Sequence, residues 1–193
     1  MNAEKRFAEL TENDEALRVT GVASEEKYSG AIIKVYREEV CLPDGAHRFW
    51  DVVRHRGAVC VVPVDENGNV ILVRQFRYPA GRVMLEIPAG KLEEGEEDRL
   101  SVAIRELKEE TGAVAAKIEC LGDIYTTPAY VDERITMYLA TELSFGSSKP
   151  DAEEFLSVVR MPLRDAAELV MAGKIEDAKT QAALLRAYLM LCK

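Results

Sequence analysis

Residues 90–113 read GKLEEGEEDRLSVAIRELKEETGA, and the fold turns on them. The first part, KLEEGEED, is an acidic loop. The second predicts a helix of about 14 residues that ends at Gly112, a residue suited to a C-terminal cap. Leu100, Ala103, Ile104 and Leu107 recur at the helical period, with Leu100 and Leu107 expected in the core. Glu106, Glu109 and Glu110 lie elsewhere on the helix: at about 100° per residue they share one arc of roughly 100°. Like charges three and four residues apart destabilise a helix by roughly a few tenths of a kcal/mol each, and acids near its C-terminus oppose the macrodipole. A bound divalent cation would remove both penalties. Carboxylate oxygens suit Mg²⁺ or Mn²⁺, ions that bridge to substrate phosphates. The plainer alternative is a solvated acidic face partnered by Arg105 and Lys108, and the six residues 105–110 on their own favour it.

Upstream, GAVCVVPVD, the turn ENGN and VILVRQFRY predict a hairpin, followed by a short strand VMLEI and Pro88-Ala89-Gly90. Further upstream, AIIKVYREEV, LPDG and HRFWDVVRH predict another hairpin, while residues 1–25 are polar and weakly patterned. Downstream, AAKIECLGDIY, ERITMYLATEL and EFLSVVR predict three strands in a mixed or mostly antiparallel sheet. Two helices close the chain. PLRDAAELVMAG has Pro162 near its first turn and Gly173 as its stop, and DAKTQAALLRAYLMLCK repeats apolar residues at Ala182, Leu185, Leu189 and Cys192. The class is α/β (α+β): a mixed sheet between helices, with a small N-terminal antiparallel β unit over residues 1–55 and the main domain over residues 56–193.

The 193 residues, 48% of them hydrophobic and 31% charged, can bury a core. A net charge of −9 argues against a generally basic nucleic-acid or membrane surface, so an anionic substrate would need a local basic pocket or a metal. No run approaches the roughly 18 apolar residues of a membrane helix, and the polar N-terminus lacks the apolar core of an export signal, so a cytoplasmic home is expected. Cys41, Cys60, Cys120 and Cys192 are far apart without a CxxC pair and read as reduced, mostly buried thiols.

The longer pattern turns the balance on the acidic helix face toward metal binding. Gly90, the loop and Arg105-Glu106-Leu107-x-Glu109-Glu110-x-Gly112-Ala113 resemble the Nudix box, Gly-x5-Glu-x7-Arg-Glu-U-x-Glu-Glu-x-Gly-U with U apolar. This chain carries one extra residue in the loop, which leaves open whether Glu96 or Glu97 is the box glutamate. Arg74-Gln75-Phe76-Arg77-Tyr78-Pro79, Leu85-Glu86-Ile87-Pro88-Ala89-Gly90 and TTPAYVDE with Pro128 are similar to segments of the ADP-ribose pyrophosphatase branch. The likeness runs on through DAEEFLSVVR and GKIEDAKTQAAL.

The resemblance implies a Nudix-fold α/β/α sandwich that uses Mg²⁺, or Mn²⁺, to hydrolyse ADP-ribose to AMP and ribose 5-phosphate. It implies metal ligands at Glu106, Glu110 and often Glu109, with the backbone carbonyl of Ala89, and it makes Arg105 the box arginine, counted with the catalytic residues. Arg77 would contact the substrate's phosphates, its alternative being a surface arginine on an edge strand. Glu86 would hold the box loop or bind metal through water, a structural hydrogen-bonding role being equally open. Trp50 would clamp adenine, or simply pack in the core. Pro128 marks a substrate loop. The water-activating base is expected at Glu154, then Glu153, then Glu133. His47, His55 and the segment from Lys174 to Lys179 receive no role.

The expected partner is a small nucleoside diphosphate sugar, with no nucleic acid and no membrane. A homodimer is expected in which the N-terminal unit helps build the other subunit's adenine pocket. The alternatives are a pyrophosphatase for a GDP- or ADP-hexose and a non-catalytic ligand-binding sensor.

Overall fold

The computed structural model describes residues 2–12, 14–95, 98–146 and 155–192. The chain divides into two compact units, Met1–His55 with Thr127–Asp132, and Arg56–Thr126 with Glu133–Lys193.

The first unit contains helix α1 (Ala3–Leu10) and an antiparallel sheet of β1 (Thr20–Ser29), β2 (Ile33–Cys41) and β3 (His47–His55), in that order. The β2–β3 hairpin matches the sequence expectation; α1 and β1 do not, because both occupy a stretch that is nearly unpatterned. All ten residues of β1 are exposed, so there is no buried face to impose an alternation. At its other edge β3 takes up the Thr127–Asp132 segment. The Val53 amide donates to the Tyr130 carbonyl (2.7 Å), the Asp132 amide donates to the Val53 carbonyl (3.2 Å), and the His55 amide donates to the Asp132 carboxylate (2.8 Å).

The second unit runs β4 (Ala58–Pro63), β5 (Asn69–Arg77), β6 (Arg82–Glu86), β7 (Ala89–Lys91), α2 (Arg99–Thr111), β8 (Ala113–Tyr125), β9 (Arg134–Phe145), β10 (Leu156–Pro162), α3 (Leu163–Met171) and α4 (Ala178–Leu191). Its strands form a mixed sheet, β7-β4-β9-β8, with β4 parallel to β9, and an antiparallel sheet, β10-β5-β6. The expected β4–β5 hairpin is therefore corrected. The turn forms, with the Asp65 carboxylate accepting from the Asn67 and Asn69 amides and Gly68 at φ +75°, but the pairing stops at an isolated bridge between Val64 and Val70 and the strands enter different sheets. Every residue of β4 is buried, a demand met by a central strand with neighbours on both edges and cover on both faces.

Alternation along the central strands builds the layers. Cys60 and Val62 of β4, with Ile135, Met137 and Leu139 of β9, pack against α3, α4, Val70 and Leu72. Val59 and Val61, with Tyr138 and Ala140, pack against Val102, Ala103 and Leu107 of α2. Helices thus cover both faces, the α/β/α arrangement expected. Burying Val102 and Leu107 contributes roughly 1.5–3 kcal/mol each.

Two helical faces differ from expectation. Leu100 and Ile104 are 41% and 45% exposed, because the stripe α2 buries is centred on Ala103 and runs through Val102 instead. In α4 the buried apolar residues are Ala183, Leu184 and Ala187, while Leu189 and Cys192 face outward; an end-to-end apolar helix does not declare which stripe meets the sheet. All four cysteines are free, but only Cys60 is buried, since Cys120 and Cys192 are exposed and Cys41 is intermediate. Burial pushes the Cys60 thiol up to about 12, which leaves it inert as a nucleophile. No helix among the described residues is long and apolar enough to cross a membrane.

Candidate active site

Helix α2 begins at Asp98, whose carboxylate caps the Leu100 and Ser101 amides, and ends at Gly112 (φ +71°), whose amide closes on the Lys108 carbonyl. The packing of Val102, Ala103 and Leu107 against the sheet sets the rotation of the helix, and that rotation buries two of its acids. Glu106 is 8% and Glu110 4% exposed, while Glu109 is half-buried. Arg105 lies between the carboxylates, with Nη2 2.9 Å from Glu106 Oε1 and Nη1 2.8 Å from Glu109 Oε2. The guanidinium offsets the repulsion that three clustered acids would cause.

Strand β7 runs against the same side of the helix. The Ala89 amide donates to Glu110 Oε2 at 3.2 Å, and a Cβ at Gly90 would run into the Glu106 carboxyl group. A glycine is needed there because the carboxylate occupies the space of a side chain. Among the described residues no three acidic, histidine or cysteine side chains are gathered as a ready metal cage. The donor chemistry still fits a hard divalent cation: two nearly buried carboxylates one helical turn apart, close against a backbone strand.

Arg77 and Glu86 stand at the ends of β5 and β6. The register sets Glu86 opposite Val73, which puts it on the same sheet face as Arg77. Arg77 makes a two-pronged contact, with Nε and Nη2 each 2.8 Å from a Glu86 oxygen. Glu86 is only 1% exposed and also accepts from Lys179 Nζ at 2.5 Å. Burial on its own would push the Glu86 carboxyl up; the hydrogen bonds from Arg77 and the charge of Lys179 override that and hold it at about 2, below its ordinary 4.5. For Lys179, burial works downward, and the charges of Asp177 and Glu86 raise its pKa above the usual lysine value.

Asp177 caps α4 through the Thr180 amide (2.9 Å) and accepts from Lys179 (2.9 Å), while the Thr180 hydroxyl accepts from the Ile87 amide (3.0 Å). The sequence reading that gives Lys174 to Lys179 no role misses this link. One local signal was present: a lysine in the first turn of a helix opposes the macrodipole and calls for an acidic partner.

Trp50, in β3, and Pro128 both lie in the first unit. Trp50 is 44% exposed, so within this chain it is not a core residue. Glu133 is half-buried and accepts from the Thr126 hydroxyl at 3.0 Å where the chain leaves β8 and enters β9. Glu153, Glu154, Glu96 and Glu97 lie outside the described residues. The structure therefore brings together Arg105, Glu106, Glu109, Glu110 and Ala89, with Arg77 and Glu86 in the same unit.

Comparison with known proteins agrees with this geometry. The chain is 44% identical over 165 residues to the ADP-ribose pyrophosphatase of Bacillus subtilis (strain 168), covering 84% of this chain and 89% of that one. It is 36% identical over 161 residues to the methanol dehydrogenase activator of Bacillus methanolicus, covering 82% and 86% respectively. A crystal structure of an ADP compounds hydrolase shares the fold, with a TM-score of 0.79 at 24% identity over 91% of this chain and 95% of that one. The NUDIX domain family matches residues 53–186, and with the buried glutamates of α2 packed against Ala89 and Gly90, the chain belongs to that family.

Proposed function

We propose that the protein hydrolyses ADP-ribose to AMP and ribose 5-phosphate in a Mg²⁺-dependent reaction. The observation that carries the reading is the pair of nearly buried carboxylates, Glu106 and Glu110, on the helix face that meets Ala89 and Gly90. The identity to an ADP-ribose pyrophosphatase over most of both chains supports the choice of substrate.

Glu106, Glu110 and Glu109, with the Ala89 carbonyl, would hold the cation, Mg²⁺ or in its place Mn²⁺. When bound, such an ion supplies positive charge that offsets the phosphate oxygens and favours ionised water. Arg77 binds and orients the diphosphate through the guanidinium edge that Glu86 leaves open. Arg105 holds the Glu106 and Glu109 carboxylates in position through its two contacts. A loop glutamate, Glu154 before Glu153 and Glu133, takes the proton of the attacking water; the oxygen joins phosphorus and the bond to the bridging oxygen breaks.

Trp50 and Pro128 contribute to nucleoside recognition in a homodimer, each N-terminal unit serving the partner subunit. The exposure of β1 along its whole length, together with exposed Phe49 and Trp50, supports an unsatisfied surface on that unit. The free cysteines support a reducing, cytoplasmic setting.

Product analysis with Mg²⁺ across ADP-ribose, ADP-hexoses and GDP-hexoses tests the reading. The expected result is AMP and ribose 5-phosphate with ADP-ribose as the preferred substrate. Preferred cleavage of a hexose would move the assignment to that sugar, and no cleavage of any would sink it. Sedimentation tests the assembly: a monomer fully active at nanomolar concentration refutes the shared site.

A further inference from the structure

The first turn of α4 is tied to the strand pair that carries Arg77, and nothing in the reaction proposed above uses that tie. Lys179 is buried, yet its ammonium reaches both Glu86 (2.5 Å) and Asp177 (2.9 Å). Four charges thus alternate in a chain, Arg77⁺, Glu86⁻, Lys179⁺ and Asp177⁻, and sum to zero. Next in sequence, the Thr180 hydroxyl holds the Ile87 amide and itself donates to Asp177 (2.5 Å). One helical turn therefore grips two adjacent residues, Glu86 by its side chain and Ile87 by its backbone, just before Pro88-Ala89-Gly90.

We infer that Lys179 is a positioning residue that makes Arg77 an effective phosphate binder by occupying Glu86. The inference rests on the reading of Arg77 as the residue that meets the diphosphate. Glu86 faces Arg77 across two hydrogen bonds, and a carboxylate shared with no other cation would largely neutralise that guanidinium. With Lys179 on Oε2, the negative charge of Glu86 is divided between two cations, and Arg77 keeps net positive charge on its far edge. That edge, Nη1, donates no hydrogen bond to the described residues and belongs to a partly exposed side chain. The fork on Glu86 also fixes the plane of the guanidinium, so the open edge has one direction. Asp177 balances the charge of Lys179 while capping the helix that carries the lysine.

A double-mutant cycle on the full chain tests this, with kcat and KM for ADP-ribose measured in Mg²⁺ for the wild type, Arg77→Ala, Lys179→Met and the double variant. Lys179→Met is expected to lower kcat/KM by about tenfold or more, chiefly through KM, the scale of one lost charge-assisted hydrogen bond. In the Arg77→Ala background the same change is expected to cost less than about twofold, because its route to the substrate is already gone. Lys179→Arg, which keeps the charge, should recover most of the loss. Equal losses in both backgrounds, or a fall in kcat with KM unchanged, overturn the inference, since a purely structural lysine would act in that way. If Lys179→Met does not fold, Lys179→Gln carries the same cycle with a donor retained and the charge removed. A wild type that cleaves no diphosphate sugar refutes the substrate reading instead, and is recognised before any variant is compared.

Discussion

Acid should release the Glu86 carboxylate from its two cations, and the size of the effect follows from its surroundings. In the unfolded chain the group titrates near 4.5, and in the fold it is held at about 2. A carboxyl with a lower pKa in the folded state adds stability above its unfolded value, and that stability drains away as the pH falls toward the folded value. The separation, 4.5 less about 2, at about 1.4 kcal/mol for each pH unit, amounts to about 3.5 kcal/mol well above pH 5. By about pH 3 roughly 2 kcal/mol of it is gone, because the unfolded chain is then protonated at this site and the fold is not. Screening by water is weak at this group, which is 1% exposed. Other acids titrate in the same range, so the measurement compares wild type with Glu86→Gln by urea unfolding followed by circular dichroism at about pH 7 and about pH 3. The wild type is expected to lose about 2 kcal/mol more than the variant between the two conditions. Equal losses would mean that Arg77 and Lys179 do not hold the carboxylate ionised, and the account of this buried network would fall.

Three further outcomes follow from the site. Glu106→Gln or Glu110→Gln should lower turnover by at least about a hundredfold while the fold survives, and hydrolysis that persists at full rate in a chelator would remove the metal assignment. Glu154→Gln should cut kcat by roughly 10² to 10⁴ with substrate affinity nearly unchanged; wild-type turnover in that variant beside an inactive Glu133→Gln would transfer the base to the other loop. Gly90→Ala should displace the Glu106 carboxyl group and lower the melting stability by about 1–3 kcal/mol, together with activity, and a variant that matches wild type in both would contradict the close approach of β7 to α2.

What could be read in advance was what neighbours in sequence determine. The termination of α2 at Gly112 and the burial of Glu106 and Glu110 one turn apart on the helix depend on residues within one or two turns, and both are present. The turn at Asp65–Asn69 was legible for the same reason, whereas the partners of β4 were not, because a strand buried on both faces is apolar whichever neighbour it takes. The role of Lys179 was hidden by distance: Glu86 lies 93 positions away, and no local spacing rule joins them. Strand β1 was invisible for the opposite reason, since a strand with no buried face leaves no periodic trace.

The attachment of Thr127–Asp132 to β3 has a consequence in time. His55 and the Asp132 that accepts its amide are 77 positions apart, so a ribosome adding about 5–20 residues each second delivers the second roughly 4–15 s after the first. Through that interval the outer edge of β3 around Val53 presents open amide and carbonyl groups, a surface on which any other extended chain can pair. The N-terminal segment therefore cannot complete its own sheet edge as it emerges, and a nascent chain stalled before β9 would carry a sticky, half-finished domain into a crowded cell.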